Sequence, residues 1–292
     1  MSDAAFKLAG TGLPDLSKSR AWMKLKRNKS AFAGLVIILG FVTLAIVAPL
    51  LPIADPYESD WLKIREAPSA AAWFGTDEIG RDIFSRMIWG ARASLLAGVV
   101  SVAIALALGV PLGLISGYFG GWCDLVISRA TDALLATPFL VLAIALAAFM
   151  GPSLTNAMIA IGVASMPIFI RLTRGQVLAI KNEEYVESAR AIGLGNTAII
   201  GKYILPNVFP PVLVQATLTV ATAIIAEASL SFLGLGQQAP DPSWGSMLNV
   251  AKNFLNHAPW MAAIPGIAIF FVVLGFNLLG DGLRDALDPK ET

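Results

Sequence analysis

The residues that could carry catalysis are few, and their types exclude most enzyme chemistry. The chain has one cysteine, Cys123, and one histidine, His257, which excludes an intrachain disulfide, a Cys-based metal site and a histidine relay. A Ser–His–Asp set would have to take its base from His257 alone. The sequence contains no Gly-x-x-x-x-Gly-Lys-Ser/Thr loop, so we predict that the chain does not itself bind and hydrolyse ATP. We expect no catalytic residues, no metal ligands and no cofactor in this chain.

One polar stretch has the pattern of a protein-docking segment. Residues 184–207 read EYVESARAIGLGNTAIIGKYILPN and lie between long apolar runs. Residues 183–192 have a helix-forming composition, and Tyr185, Ala189 and Ile192 recur at the i, i+4, i+7 spacing of one helix face. We expect this face, edged by Glu and Arg, to insert into a groove on another protein. A solvated connector is the alternative.

Glycine and proline predict a bend in the same stretch. Gly193 and Gly195 are expected to end the first helix, because glycine tolerates the left-handed conformation of a helix C-terminus. Asn196 or Thr197 can cap a second short helix, which we expect to stop before Pro206. The predicted product is a helix–turn–helix elbow at a membrane face.

Composition predicts that the elements around the elbow lie in a membrane. Of the 292 residues, 56% are hydrophobic and 14% are charged, and the mean hydropathy is +0.71, whereas a soluble domain carries about 25% charged residues. Six apolar runs are long enough to cross a hydrocarbon core about 30 Å thick. Backbone groups must be paired in lipid, so such runs are helices. We predict an all-α polytopic fold with transmembrane helices at about 31–52, 92–117, 127–150, 155–173, 208–232 and 259–281.

Lysine and arginine favour one orientation of these spans. Fifteen of the 21 basic residues fall on one side, and the positive-inside rule places that side in the cytoplasm. Both termini are then cytoplasmic, with tails over 1–30 and 282–292, and residues 53–91 form a periplasmic loop. Residues 80–92 have the pattern of an amphipathic helix, which can lie along the membrane surface or extend the second span.

Two features inside the predicted spans could have a function. Gly109, Gly113 and Gly117 form a stripe of small residues, which packs within the chain or contributes to a substrate path or subunit interface. Glu227 lies in the fifth span, where a carboxylate is costly and often functional. It lines the path, faces a partner subunit or satisfies a local packing need. Arg129 and Asp132 are predicted to form a local ion pair.

Motifs along almost the whole chain resemble one family. They are FGTDEIGRDIFSRMIWGARASL at 74–95, SGYFGGWCDLVISRATDALLATPFLVLAIAL at 116–146, ASLSFLGLGQQAPDPSWGSML at 228–248 and GFNLLGDGLRDALDPK at 275–290. Within residues 184–207, Glu187-Ser188-Ala189, Gly193 and Leu205-Pro206 resemble the EAA loop of binding-protein-dependent ABC importers. Together these motifs are similar to the dipeptide/oligopeptide/nickel permease family, and to its "C" type in particular. Ser188 stands at the middle Ala of EAA, and Tyr203 stands where Ile is usual.

The resemblance implies a type I ABC importer transmembrane fold in the bacterial inner membrane, with the core at 92–281 and a cytoplasmic coupling loop at 175–207. It implies a second homologous permease as heterodimer partner and two ABC ATPase subunits that bind ATP and Mg. It also implies a periplasmic or lipid-anchored substrate-binding protein, which meets loops 53–91 and 233–258, and surrounding lipid, but no nucleic acid. The implied ATPase-coupling residues are Glu184, Tyr185, Glu187, Ser188, Ala189, Gly193, Leu205 and Pro206.

The expected role is half of a translocation path. Short peptides are the first expectation for the substrate, and nickel chelates, glutathione, opines or sugars are the alternatives. A secondary transporter is the rival from another class, and it predicts internal repeats and several buried ionisable groups, which we do not find. A membrane-embedded enzyme would need a catalytic set that the sequence lacks.

Overall fold

Ten α-helices make up most of residues 28–287, the part of the chain that the computed structural model describes. Short 3-10 turns lie at Ala48–Leu50 and Trp61–Lys63, and a π-helical turn lies at Ile200–Ile204. The α-helices are α1 Lys29–Val47, α2 Ile83–Phe119, α3 Gly121–Leu135, α4 Phe139–Met150, α5 Leu154–Ile180, α6 Glu184–Ala191, α7 Asn196–Ile199, α8 Leu205–Phe232, α9 Trp244–Ala251 and α10 Trp260–Leu287.

Five helical runs within residues 28–287 are long and apolar enough to cross a membrane, and the bent pair of α3 and α4 forms either a sixth, broken span or a re-entrant loop. The all-α polytopic prediction is therefore confirmed. The prediction of one continuous helix over 127–150 is wrong, because α3 and α4 meet at an angle of 93°. The residue before a proline is biased away from the helical region, and Pro138 itself adopts φ −54° and ψ 129° at the start of α4. The five unbroken runs are Lys29–Leu50, Ile83–Phe119, Leu154–Ile180, Asn196–Phe232 and Trp260–Leu287.

The helix predicted at residues 80–92 is the first part of α2 and not a separate surface helix. Asp82 caps it, since its Oδ2 accepts from the backbone N–H of Ser85 at 2.7 Å. A side-chain oxygen at this position satisfies one of the free donors of a helix N-terminus. The extension of the second span, one of the two alternatives, is what the structure contains.

The stripe of small residues on α2 is a packing seam within the chain. A Cβ added to Gly109, Gly113 or Gly117 would lie 2.6 to 2.7 Å from side-chain atoms of α5, namely those of Phe169, Thr173 and Val177. Small residues let two helix backbones approach closely, which is how membrane helices associate. These contacts agree with the alternative of packing within the chain, and a role of the glycines in a path or subunit interface stays a prediction.

The helices connect at two ends of the bundle. The cap end comprises residues 53–82, 151–153 and 233–259, and the elbow end comprises residues 181–204 with the start of α1 and the end of α10. Asn28 and Asp285 meet at the elbow end, where Asn28 Nδ2 donates to Asp285 Oδ2 at 3.3 Å. Residues 1–27 and 288–292, and with them most of the two predicted tails, lie outside the described part.

Candidate docking site

The first helix of the elbow, α6, ends in the manner that its glycine predicts. Gly193 has φ +82°. Its N–H donates to Arg190 O at 3.0 Å, and the N–H of Leu194 donates to Ala189 O at 3.2 Å. These two bonds form a Schellman motif, which satisfies carbonyls that the end of a helix would leave free. Gly193 therefore fixes the bend of the elbow, as predicted.

The exposed face of α6 differs from the face that the sequence predicted. Val186 and Ala189 are 0% and 3% exposed and belong to an apolar cluster with Ile199 and Ile204. The proposed common face of Tyr185, Ala189 and Ile192 is wrong, because Ala189 is buried against the chain itself. The i, i+3 spacing of Val186 and Ala189 was the signal for the buried side. The exposed residues from α6 to its C-terminal glycine are Glu184, Tyr185, Glu187, Ser188, Arg190, Ala191, Ile192 and Gly193.

The second half of the elbow runs without a break into the membrane. Residues Asn196–Phe232 form one helical run, so the prediction that the second helix stops before Pro206 is wrong. The N–H of Leu205 bonds to Ile200 O, five residues back, and this π-type turn precedes the proline at the start of α8, where a missing N–H is tolerated. Leu205 is half-buried and Pro206 is exposed.

Hydrogen bonds tie the elbow to the bundle. Gly195 stands at the N-cap position of α7, so the prediction that Asn196 caps this helix is wrong. The Oδ1 of Asn196 instead accepts from Tyr118 Oη at 2.9 Å. Lys181 Nζ donates to Gly117 O at 3.1 Å, which places a cation on the last carbonyls of α2. Both bonds join the elbow to the end of α2.

Tyr185 lies between the two halves of the elbow. Its Oη accepts from Asn207 Nδ2 at 3.4 Å, and the same amide donates to Tyr203 O at 2.7 Å. Partial burial raises the pKa of the Tyr185 phenol, and the charge of Glu183 raises it further. The hydroxyl is therefore protonated at neutral pH.

Two ion pairs join α5, which leads into the elbow, to α3. Arg174 Nε and Nη2 donate to Asp124 Oδ1 and Oδ2 at 2.6 and 2.8 Å, the bidentate geometry that guanidinium favours. Arg171 Nη2 lies 2.5 Å from Asp132 Oδ1. The predicted pair of Arg129 with Asp132 is therefore wrong, since Asp132 faces an arginine 39 residues away. Sequence spacing carries no signal for such a partner.

Glu227 lies in the interior of the chain, near the cap end of α8. Its residue exposure is 0%, and its carboxylate accepts from Ser94 Oγ at 3.1 Å and Ser231 Oγ at 2.7 Å. These hydrogen bonds lie inside the chain and agree with the alternative of a local packing role. A role of Glu227 in the substrate path or at a subunit interface stays a prediction.

Comparison with known proteins identifies the family. Residues 109–292 match the model of the binding-protein-dependent transport system inner membrane component family. Residues 19–68 match the N-terminal TM domain of oligopeptide transport permease C. A dipeptide transport system permease protein of Alkalihalophilus pseudofirmus is 52% identical over 92% of this chain and 89% of its own. The chain belongs to the binding-protein-dependent permease family.

Two further relatives and one solved structure are similar to this permease. A probable D,D-dipeptide transport permease of Escherichia coli is 45% identical, and a glutathione transport permease of Pectobacterium atrosepticum is 44% identical. Each match covers 92% of this chain and 90% of the relative. The inward-facing MetNI methionine ABC transporter aligns with a TM-score of 0.58 over 70% of this chain and 98% of its own, at 20% identity.

These matches confirm the resemblance and the type I importer fold that it implied. The permease is a multi-pass subunit of an ABC importer in the bacterial inner membrane, and its role is transport. Among residues 28–287, no three His, Cys, Asp or Glu side chains are placed to hold a metal ion. The exposed surface of the elbow carries two carboxylates, Glu184 and Glu187, together with the cation of Arg190 and the apolar side chain of Ile192.

Proposed function

We propose that the permease forms half of a translocation path for short peptides and is driven by ATPase subunits that grip residues 184–207. The observation that carries the proposal is the elbow itself. Its apolar side chains Val186 and Ala189 hold it against the bundle, its polar side is exposed, and its second half continues as one helix into the membrane. A partner that moves the elbow therefore moves a membrane span.

In this proposal the elbow end faces the cytoplasm and the cap end faces the periplasm, in agreement with the distribution of basic residues. Two ABC ATPase subunits bind ATP and Mg, and one docks on Glu184, Tyr185, Glu187 and Ser188. A second, homologous permease completes the path. A periplasmic or lipid-anchored substrate-binding protein delivers the substrate to loops 53–91 and 233–258.

Short peptides are favoured as substrate by the names of the relatives. The relative at 52% identity is a dipeptide permease, and the one at 45% is a D,D-dipeptide permease. A glutathione permease at 44% identity supports glutathione, itself a small peptide, as the second candidate. Nickel chelates, opines and sugars have no such support.

Retention of the ATPase subunits tests the docking proposal. The full complex is purified through a tag on this permease, and the bound ATPase is quantified for the wild type, Glu187→Lys and Glu58→Lys. Both side chains are exposed carboxylates, but Glu58 lies at the cap end, so it is the matched control. We expect Glu187→Lys to lose ATPase and Glu58→Lys to retain it. Equal retention in the two variants would contradict docking at the elbow.

Uptake by proteoliposomes tests the substrate. Vesicles that contain the full complex, internal ATP and the loaded binding protein are offered a labelled dipeptide, glutathione or a nickel chelate in separate assays. We expect ATP-dependent accumulation of the dipeptide. Accumulation of glutathione alone would favour the second candidate, and transport without any ATPase subunit would exclude an ABC importer.

A further inference from the structure

The buried carboxylate of Glu227 joins two chains of hydrogen bonds. Ser94 Oγ donates to Glu227 and accepts from the backbone N–H of Trp244 at 3.3 Å. Ser231 Oγ donates to Glu227 and accepts from the backbone N–H of Gln237 at 3.0 Å. One carboxylate thus holds both sides of the connection between α8 and α9, residues 233–243, through two serine hydroxyls.

Close packing prevents α9 from shifting independently of this network. Trp244 is 0% exposed, its Nε1 donates to Met87 O at 3.0 Å, and its ring meets Phe41 edge-on at 5.6 Å. A Cβ on Gly245 would lie 2.6 Å from Ala228 Cα, one residue along α8 from Glu227. A displacement of α9 must therefore move α8 or break the hydrogen bond from Trp244 to Ser94.

The carboxylate and the elbow lie on the same helical run. The run from Asn196 to Phe232 has 37 residues, which is a length of about 55 Å at 1.5 Å per residue. Its first turns are half of the docking elbow, and Glu227 lies in its last two turns. A contiguous, packed element of this kind can carry energetic coupling between distant sites.

We propose that Glu227 is the positioning residue that couples the cap-end connection 233–243 and α9 to the elbow. This proposal rests on the function proposed above, in which the cap end meets the binding protein and the elbow meets the ATPase. A force applied to the connection by docking at the cap end reaches α8 directly through Ser231, which lies on that helix, and reaches it from Ser94 on α2 through Glu227. A carboxylate suits the task because its two oxygens accept from two donors at once, and an unpaired one in the interior is costly.

The serines provide variants that remove one arm of the network at a time. Ser94→Ala disconnects Trp244, Ser231→Ala disconnects Gln237, and Glu227→Gln replaces one of the two acceptors with a donor. Ser229→Ala is the matched control. It lies on the same helix, but its hydroxyl donates to Ile225 O at 2.8 Å within its own helix and is exposed.

The measurement is ATP hydrolysis by the full complex in proteoliposomes, with and without the loaded binding protein. We expect the stimulation by binding protein to fall about tenfold in the three network variants, within the usual range of a coupling free energy. Basal hydrolysis and ATPase retention should stay near wild type, the Tm of the complex should fall by no more than the loss of one buried hydrogen bond predicts, and Ser229→Ala should behave as wild type.

Two results would overturn the proposal. One is full stimulation in all three network variants. The other is a parallel loss of stimulation, basal hydrolysis and Tm, which would make Glu227 a support of the fold only. Failure of the proposed function gives a different result, because a wild-type complex that retains no ATPase or shows no stimulation contradicts both proposals.

Discussion

The two ends of the bundle are built differently. At the cap end, one cluster of charged side chains is buried and paired. Asp77 is 6% exposed and pairs with Arg81 at 2.6 Å, and Arg86 donates to Pro56 O at 2.8 Å. In the half of the bundle nearer the elbow, the ion pair of Arg171 on α5 with Asp132 on α3 has side chains that are 66% and 47% exposed.

Most of the glycines follow the same contrast. At the cap end a Cβ on Gly236 or Gly245 would lie less than 3 Å from other atoms, although Gly151 and Gly234 there are open. At the elbow end nothing lies within 4 Å of a Cβ on Gly193, Gly195 or Gly201. Regions with few buried contacts open at lower free energy than packed ones. The cap end is therefore packed more tightly into the bundle, whereas the elbow end leaves more of its surface exposed.

Removal of one carboxylate at each end should give the largest contrast. Asp77→Ala leaves Arg81 and Arg86 buried without this partner, and breaking a buried pair costs about 3–5 kcal/mol. Asp132→Ala removes an exposed partner of Arg171, worth about 0–1 kcal/mol. Thermal unfolding of the purified permease in detergent measures both. A Tm loss for Asp132→Ala that equals the loss for Asp77→Ala would contradict the contrast.

Glycine substitutions should give the next largest difference. Gly245→Ala forces a methyl group against the Ala228 backbone, and overpacking of this kind costs about 1–3 kcal/mol. Gly201→Ala adds a methyl group in open space and gains the better helix propensity of alanine. The same unfolding assay should show a lower Tm for the first variant and an unchanged or higher Tm for the second. A tolerated Gly245→Ala would mean that α9 is free to shift on α8.

Local patterns in the sequence predicted the features that depend on neighbouring residues. Apolar runs predicted the spans, because every backbone group in lipid must be paired within its own helix. Gly193 predicted the end of α6, since a left-handed residue favours glycine. Both depend on a few consecutive positions, and the structure contains both.

Features that depend on distant residues were not predictable in this way. Asp132 binds Arg171 and not its neighbour Arg129, and Glu227 binds Ser94, which is 133 residues away. A pattern of spacing along one helix contains no information on which helix will pack against it. The bend at Pro138 had a local signal, which the length of the apolar run outweighed.

Backbone strain should have a smaller and local effect at the elbow. Gly193→Ala places a side chain at φ +82°, which costs about 1–2 kcal/mol for an L-residue. Gly195 has φ −67° and open space around it, so Gly195→Ala is the matched control. We expect ATP-driven uptake to fall several-fold, roughly as this strain predicts, for Gly193→Ala only. Equal uptake by both variants would show that the bend can form without a glycine.

Removal of one tyrosine hydroxyl at each end should have the smallest effect on stability. It compares the two ends of the bundle through the same chemical change. Tyr118→Phe removes the bond to Asn196 at the elbow end, and Tyr57→Phe removes the bond to Asp241 at the cap end. Both bonds are 2.9 Å long and exposed. Each is worth about 0.5–1.5 kcal/mol at most, so the folded state of the permease should survive both changes.

Hydrogen exchange of backbone amides distinguishes the two tyrosine variants. The cap-end loop keeps the bonds of Arg86 to Pro56 and Pro240 when Tyr57 is changed, so exchange near residues 53–60 should stay near wild type. The elbow has few other hydrogen bonds to α2. Amide exchange over residues 194–200 should therefore become about fivefold faster in Tyr118→Phe, which corresponds to a decrease of about 1 kcal/mol in the free energy of local opening. If the cap end instead exchanges faster, its rigidity does not come from the buried polar contacts.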